Sequence, residues 1–325
     1  MKTLKETVTP TRVVCRSLVA TVLALCSFAT QAQVAANEEN PLEGTIDFHV
    51  HTAPDVSSRS VNDVELAQLA ARSGMRAVVL KNHATMTADR AGVVQQLVPG
   101  IKVFGGIALN RPVGGLNVDA VNAMASMSGS RGKVVWLPTR DAAYNRATFD
   151  NKDDGISVAS GGKVSAEMEA VLQAIKEHDL ILATGHVSPE EVLAVVRRAR
   201  EMGISKIVIT HAMSEVPGLN IEQLKEVAGM GALLELVYLD HLRTPTAHLN
   251  WLRDWEPLSI GQMAAAVKEV GSEHFILASD LGQTGNPIPP DGMLQMIEGM
   301  RAAGVSKADI DIMARTNPAQ LLGLD

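Results

Sequence analysis

Histidines and carboxylates recur at the ends of apolar runs in this chain, and their spacing suits metal chemistry. In "GTIDFHVHTAPD", residues 44–55, His49 and His51 stand two residues apart. Side chains alternate along a strand, so both imidazoles fall on one side with Cα atoms about 6.6 Å apart. Two imidazoles at that distance can bind one cation. His83, His186, His211 and Asp280 each close a further apolar run, in "LKNH", "ATGH", "VITH" and "ILASD". Asp280 completes an anionic corner and can take a proton from water. A lone histidine at a strand end is usually capped or solvated. Six potential ligands at equivalent positions point together to a metal site.

Those positions need a frame. Eight short runs rich in Val, Ile and Leu are read as strands: 45–51, 76–83, 102–109, 133–139, 180–186, 206–211, 232–239 and 274–280. Near-continuous apolar runs are expected for parallel strands buried on both faces. Amphipathic helices lie between them. Ser188-Pro189-Glu190-Glu191 predicts an N-cap, a first-turn proline and a capping-box glutamate, while Gly74 and Gly203 suit left-handed helix ends. The pattern predicts an α/β fold, a (β/α)8 TIM barrel with its active site at the C-terminal ends of the strands. A doubly wound sheet is the rival, but no glycine-rich fingerprint follows the first strand. Helix-to-strand connections are tight, whereas the segments 140–164, 240–258 and 281–292 after strands four, seven and eight are long. Elaborated loops on one face mark the functional end. His178 and His274 fall at the opposite end and read as structural; His241 and His248 read as solvated loop residues.

Residues 1–32 read differently. Lys2, Lys5, Arg12 and Arg16 precede "SLVATVLALCSFA" and then "TQA", the pattern of a secretory signal cleaved after Ala32. The organisation expected is a signal at 1–32, a linker at 33–43 and one barrel domain at 44–325, in a periplasmic or secreted protein. Both cysteines, Cys15 and Cys26, lie in the signal, so any metal must be held by nitrogen and oxygen ligands. The formal net charge is −7; losing residues 1–32 removes four basic residues and one acid and leaves −10. Such a chain is a poor nucleic-acid partner, and no later run is long enough to span a membrane. A small-molecule substrate is expected, and a homo-oligomer is compatible with the sequence.

The His-x-His of strand one, His186 and His211 on strands five and six, and Asp280 on strand eight resemble the amidohydrolase superfamily of metal-dependent barrel enzymes. The similarity extends through "ATGHVS", "VITHA", "ASDLGQ" and the terminal "TNPAQLLGL". More closely, "LKNH", "FGGIALNRPVGGLN" and "ASDLGQTGNPIPPDG" look like an uncharacterised amidohydrolase-related family. The resemblance implies a divalent metal, zinc with manganese or iron as alternatives, on His49, His51, His186 and Asp280. His211 would be a further ligand or a catalytic histidine. It also implies a hydrolase that cleaves an amide, ester or lactone bond, with Asp280 accepting the proton of the attacking water and His211 and His83 assisting the leaving group or oxyanion.

Strand four ends "WLPTRD", without the bridging lysine or glutamate of two-metal relatives, so one ion is favoured over two. Asp141 lies past that strand end. Lys81 could bridge or act as an electrophile from strand two, or pair with a buried carboxylate. Arg111, Arg140 and Arg243 could clamp a substrate carboxylate or phosphate, and Tyr238 could face the site. One-metal members of the superfamily also include non-oxidative decarboxylases. The N-terminal third resembles the polymerase-and-histidinol-phosphatase family, with Asp47, His49 and His51 on strand one. There, Asn82-His83 stands where that family has Asp-His, and its strand-three glutamate is missing from "GGIALN". A periplasmic metal- or solute-binding protein is the non-enzymatic alternative.

Overall fold

A computed structural model of the chain describes residues 40–324. The expected secretory signal, residues 1–32, and most of the 33–43 linker lie outside the described residues. Eight parallel strands form one sheet: β1 (Ile46–His51), β2 (Ala77–Lys81), β3 (Lys102–Ala108), β4 (Gly132–Trp136), β5 (Ile181–Ala183), β6 (Ile207–Ile209), β7 (Leu233–Val237) and β8 (Phe275–Ala278). They neighbour one another in chain order. The ends of the sheet meet: His51 N–H donates to Leu281 O and Asp280 N–H to His49 O, each at 2.8 Å. The result is the expected TIM barrel. Strand interiors such as "IDFHVH" and "AVVLK" are buried throughout because helices cover the outside and packed side chains fill the inside.

Sequence-encoded caps set the helices. Ser188 caps Pro189–Glu201 in a reciprocal box with Glu191, as its sequence predicts, and Asn62 does the same with Glu65 for Asp63–Arg72. Glu191 has a second task. Its Oε1 accepts from Ser157 Oγ and the Val158 amide, at 2.5 and 2.8 Å, and so ties down the long segment after β4. That segment is not a plain loop: it holds a helix, Ala143–Phe149, and a hairpin pairing Ala159–Ser160 with Lys163–Val164. At the opposite end of the barrel, Asn317 Nδ2 donates to Phe275 O at 2.7 Å and Glu273 O at 3.0 Å, latching the terminal helix Asn317–Leu322 under β8.

The strands stop earlier than their apolar runs. β2 ends at Lys81, β5 at Ala183, β6 at Ile209 and β8 at Ala278, so His83, His186, His211 and Asp280 stand two or three residues beyond regular pairing. The backbone turns there. His211 and Asp280 both have φ of 51°, and Gly185, before His186, has φ of 62°. Left-handed geometry is costly for residues with a side chain and concentrates at functional sites. At position 185 glycine is compulsory, because a Cβ would drive into the carbonyl of Leu137.

Candidate metal centre

The turns bring the polar residues together at the C-terminal mouth of the barrel. His49, His211 and Asp280, all buried, offer ligand atoms within 4.8 Å of one another. Asp280 Oδ1 lies 2.9 Å from His49 Nε2 and 3.0 Å from His51 Nε2, and its Oδ2 lies 3.3 Å from His211 Nε2. β1–β2 register places Lys81 beside His51, and Lys81 Nζ reaches His49 Nε2 at 3.0 Å.

Hydrogen bonds behind the rings decide which nitrogen faces inward with a lone pair. His49 Nδ1 sits 3.3 Å from both oxygens of Glu235, a buried carboxylate in the middle of β7. A proton on Nδ1 therefore leaves the Nε2 lone pair aimed at the Asp280 carboxylate. Two acceptors at 2.9 Å need a cation between them, either a proton or a metal ion. Burial depresses the His49 pKa, but Asp280 and Glu235 outweigh it, and the net shift is upward. His186 repeats the arrangement: Nδ1 contacts Asn145 Oδ1 at 2.9 Å, and its buried Nε2 has no partner among the described residues. His211 Nδ1 is backed at 3.5 Å by Asp240. This donor set, with imidazole lone pairs converging on a carboxylate and carboxylates behind two of the rings, fits a divalent metal.

His51 differs. Its Nδ1 lies 3.3 Å from Arg59 Nη2, a donor, while Arg59 is itself held by Asp55 at 2.8 Å. Burial, with Arg59 next, pushes the His51 pKa well below that of a free imidazole. His83 differs again. Thr139 Oγ1 takes a hydrogen bond from Asn110 Nδ2 at 2.7 Å and has His83 Nδ1 at 2.8 Å as the acceptor for its own proton. That arrangement leaves His83 Nε2–H as a donor. Burial, followed by the Coulombic effects of His51 and Lys81, pushes the His83 pKa well below that of a free imidazole.

These groups open into a cavity of about 440 Å³. The barrel supplies His51, Lys81, His83, His186, His211 and Asp280 to its floor and walls. The long segments supply the rest: Arg140, Asn145 and Phe149 from the one after β4, and Arg243, Trp251 and Trp255 from the one after β7. Phe149 stacks on Trp255 at 4.1 Å between centroids, and the Arg243 guanidinium lies 3.6 Å from the Trp255 ring.

Two expected substrate contacts do not line this cavity. The Arg111 guanidinium pairs with Asp141 at 3.3 Å and is 44% exposed. The same pairing takes Asp141 away from the ligand cluster. Tyr238 begins a short helix instead of ending a strand, and its hydroxyl donates to Gln295 Oε1 at 2.6 Å, on the helical layer. Arg140 and Arg243 do reach the cavity. Glu235, Asp240, Arg59 and Asn145 were missed by sequence reasoning. Glu235 carries a signal in hindsight, a charge inside "LLELV", where burial demands a partner.

No functionally curated protein matches the sequence. Solved structures share the fold at low identity. A probable dipeptidase, PvdM, from Pseudomonas aeruginosa superposes with a TM-score of 0.62 at 12% identity, covering 90% of this chain and 98% of that one. An amidohydrolase from the same organism gives 0.57 at 10% identity, over 87% and 96%. An organophosphorus hydrolase from Deinococcus radiodurans gives 0.52 at 14%, over 87% and 93%. These likenesses are of architecture: the barrel is shared, and the side chains at its mouth have to be read from this chain. Residues 44–235, from just before β1 to the buried Glu235, match the Family of unknown function (DUF6282), and the chain belongs to that family.

Proposed function

We propose that the chain is a metal-dependent hydrolase of the amidohydrolase type, acting on an amide, ester or lactone bond in a small molecule. The observation that carries this reading is the convergence of His49, His211 and Asp280 at the barrel mouth, with the lone pair of His186 turned inward beside them. An amidohydrolase, an organophosphorus hydrolase and a probable dipeptidase among the structural neighbours support the hydrolase part of it. His49, His186, His211 and Asp280 would hold one divalent ion, zinc with manganese or iron as alternatives, with His51 completing the set if its ring sheds the Arg59 contact. Such an ion, when bound, polarises the scissile group and brings the pKa of water towards neutrality.

The chain's own groups supply the remainder. Burial works to raise the Asp280 pKa, but His49 and the hydrogen bonds from His49 and His51 hold it well below the usual carboxylate range, so Asp280 is an anion poised to accept the proton of attacking water. His83 presents Nε2–H to the cavity and can donate to a developing oxyanion or leaving group. Burial pulls Lys81 down to about 8, which lets it give up or hold a proton near neutral pH. The aromatic wall of Phe149 and Trp255 limits water on the far side. The leader-like first 32 residues support export to the periplasm or beyond.

Metal content of the purified protein, with His49→Ala as the control, tests the reading. About one equivalent in the wild type and near none in the variant is expected, followed by turnover in a panel of esters, lactones, amides and phosphoesters. Equal, trace metal in both after zinc- or manganese-replete growth would falsify the centre. Release of carbon dioxide instead of a cleaved ester or amide would move the chemistry to a decarboxylase.

A further inference from the structure

We infer that the cavity takes a small carboxylate whose charged end is received by Arg140. The inference deepens the hydrolase reading and rests on it for the role of the cavity.

Four cationic side chains line the cavity, and three are already committed. Arg243 pairs with Asp240 at 2.9 Å, donates to Ser214 Oγ at 2.5 Å and lies on Trp255. Arg59 is held by Asp55 through Nε at 2.9 Å and Nη2 at 2.8 Å. Lys81 is packed at the ligand cluster against His49. Arg140 is exposed and lines the same cavity, and its contact among the described residues is Ser57 Oγ at 3.4 Å. No carboxylate lies within ion-pair distance of it among the described residues. Carboxylates lining the cavity are Asp280, at the ligand cluster, and Asp150, which faces Arg146 at 3.5 Å.

The chemistry of the missing partner follows. A guanidinium is a rigid planar fork whose paired N–H groups match the two oxygens of a carboxylate. One uncommitted guanidinium balances one negative charge, which favours a carboxylate over a phosphate dianion. Leu239, Phe149, Trp251 and Trp255 line the same cavity and offer apolar surface to the body of the ligand. A cavity of about 440 Å³ is at the small end for ligand pockets, the size of a metabolite.

Calorimetric titration of the metal-loaded full chain with phenylacetate, phenylacetamide and phenyl phosphate tests the assignment in the wild type, Arg140→Gln and Arg140→Lys. Phenylacetate should bind about tenfold or more tightly than its neutral amide, the advantage should vanish in Arg140→Gln, and Arg140→Lys should restore part of it. Equal binding of acid and amide overturns the inference. So does a preference that survives Arg140→Gln, which would put the carboxylate on the metal, and so does tighter binding of phenyl phosphate. The two readings fail separately. Carboxylate preference without turnover of any ester, amide or lactone sinks the hydrolase and spares Arg140; turnover of neutral esters without carboxylate preference does the reverse.

Discussion

His49 and Asp280 face each other across 2.9 Å because Glu235 takes the outer nitrogen of the imidazole. That makes Glu235 the residue that sets the His49 tautomer from behind the ring. Glu235→Gln keeps the shape and removes the charge. It should weaken metal affinity about 10- to 100-fold, measured by chelator competition, while the fold persists; unchanged affinity would show that Glu235 does not orient His49. Asp47, on the same strand, is a different case. Its Oδ1 accepts from the amides of Ser279 and His49 at 2.9 and 3.3 Å, while Oδ2 is buried without a partner. Burial raises its pKa from 3.8 to about 7, against the lowering effect of those hydrogen bonds. A raised acid holds its proton in the fold after the unfolded chain has lost it. Stability is therefore lost as pH rises from about 4 to about 7 and is level beyond that. Asp47→Asn lacks this slope, so in metal-free protein its advantage over wild type in urea unfolding should be larger at pH 8 than at pH 5. A constant gap would mean that Asp47 is ionised in the fold.

At the scale of elements, the strands deliver ligands and the caps keep the helices in place. The His-x-His pair lies within β1, whose register with β2 shifts between Asp47 and Val50, whereas His186, His211 and Asp280 sit in tight turns after short strands. Gly282 has the same kind of constraint as Gly185, since a Cβ there would enter the carbonyl of His51. Helix caps are more independent of the centre. Ser188→Ala removes the side-chain cap of Pro189–Glu201 and should cost about 1 kcal/mol in chemical denaturation. Metal stoichiometry should not move, because the helix packs behind the barrel wall. Loss of metal along with stability would tie that helix to the site, through Glu191 and the segment it anchors.

Over the molecule as a whole, the candidate ligands come from strands almost the full length of the barrel apart in sequence, so an ion bound by them would cross-link the closure between β1 and β8. Chelating the metal should lower the melting temperature by on the order of 5 °C or more if the ion is present at about a hundred times its dissociation constant. Readdition should restore it, and His49→Ala should show no such shift. A chelator-insensitive melting temperature in metal-loaded wild type would contradict a site that spans the seam. The chain carries a net charge of −7, and its cavity is lined by Lys81 and Arg140 as well as by Asp280 and Asp150. Among the described residues, no helix is long and apolar enough to cross a membrane.

The sequence by itself determined the number of strands, their parallel order and the residue types at their ends, because strand burial and turn chemistry are local and periodic. His49, His51, His83, His186, His211 and Asp280 were all legible as members of one rim for that reason. Only the tertiary structure decided what stands behind each ring. An apolar strand buried on both faces has no alternation to say which side chains point inward, so Glu235 inside "LLELV" gave no direction. Nor does local pattern say how long loops fold back. That is why Arg111 and Tyr238 are absent from the cavity lining, while Asn145, Trp255 and Arg59 join it from segments with no periodicity to read.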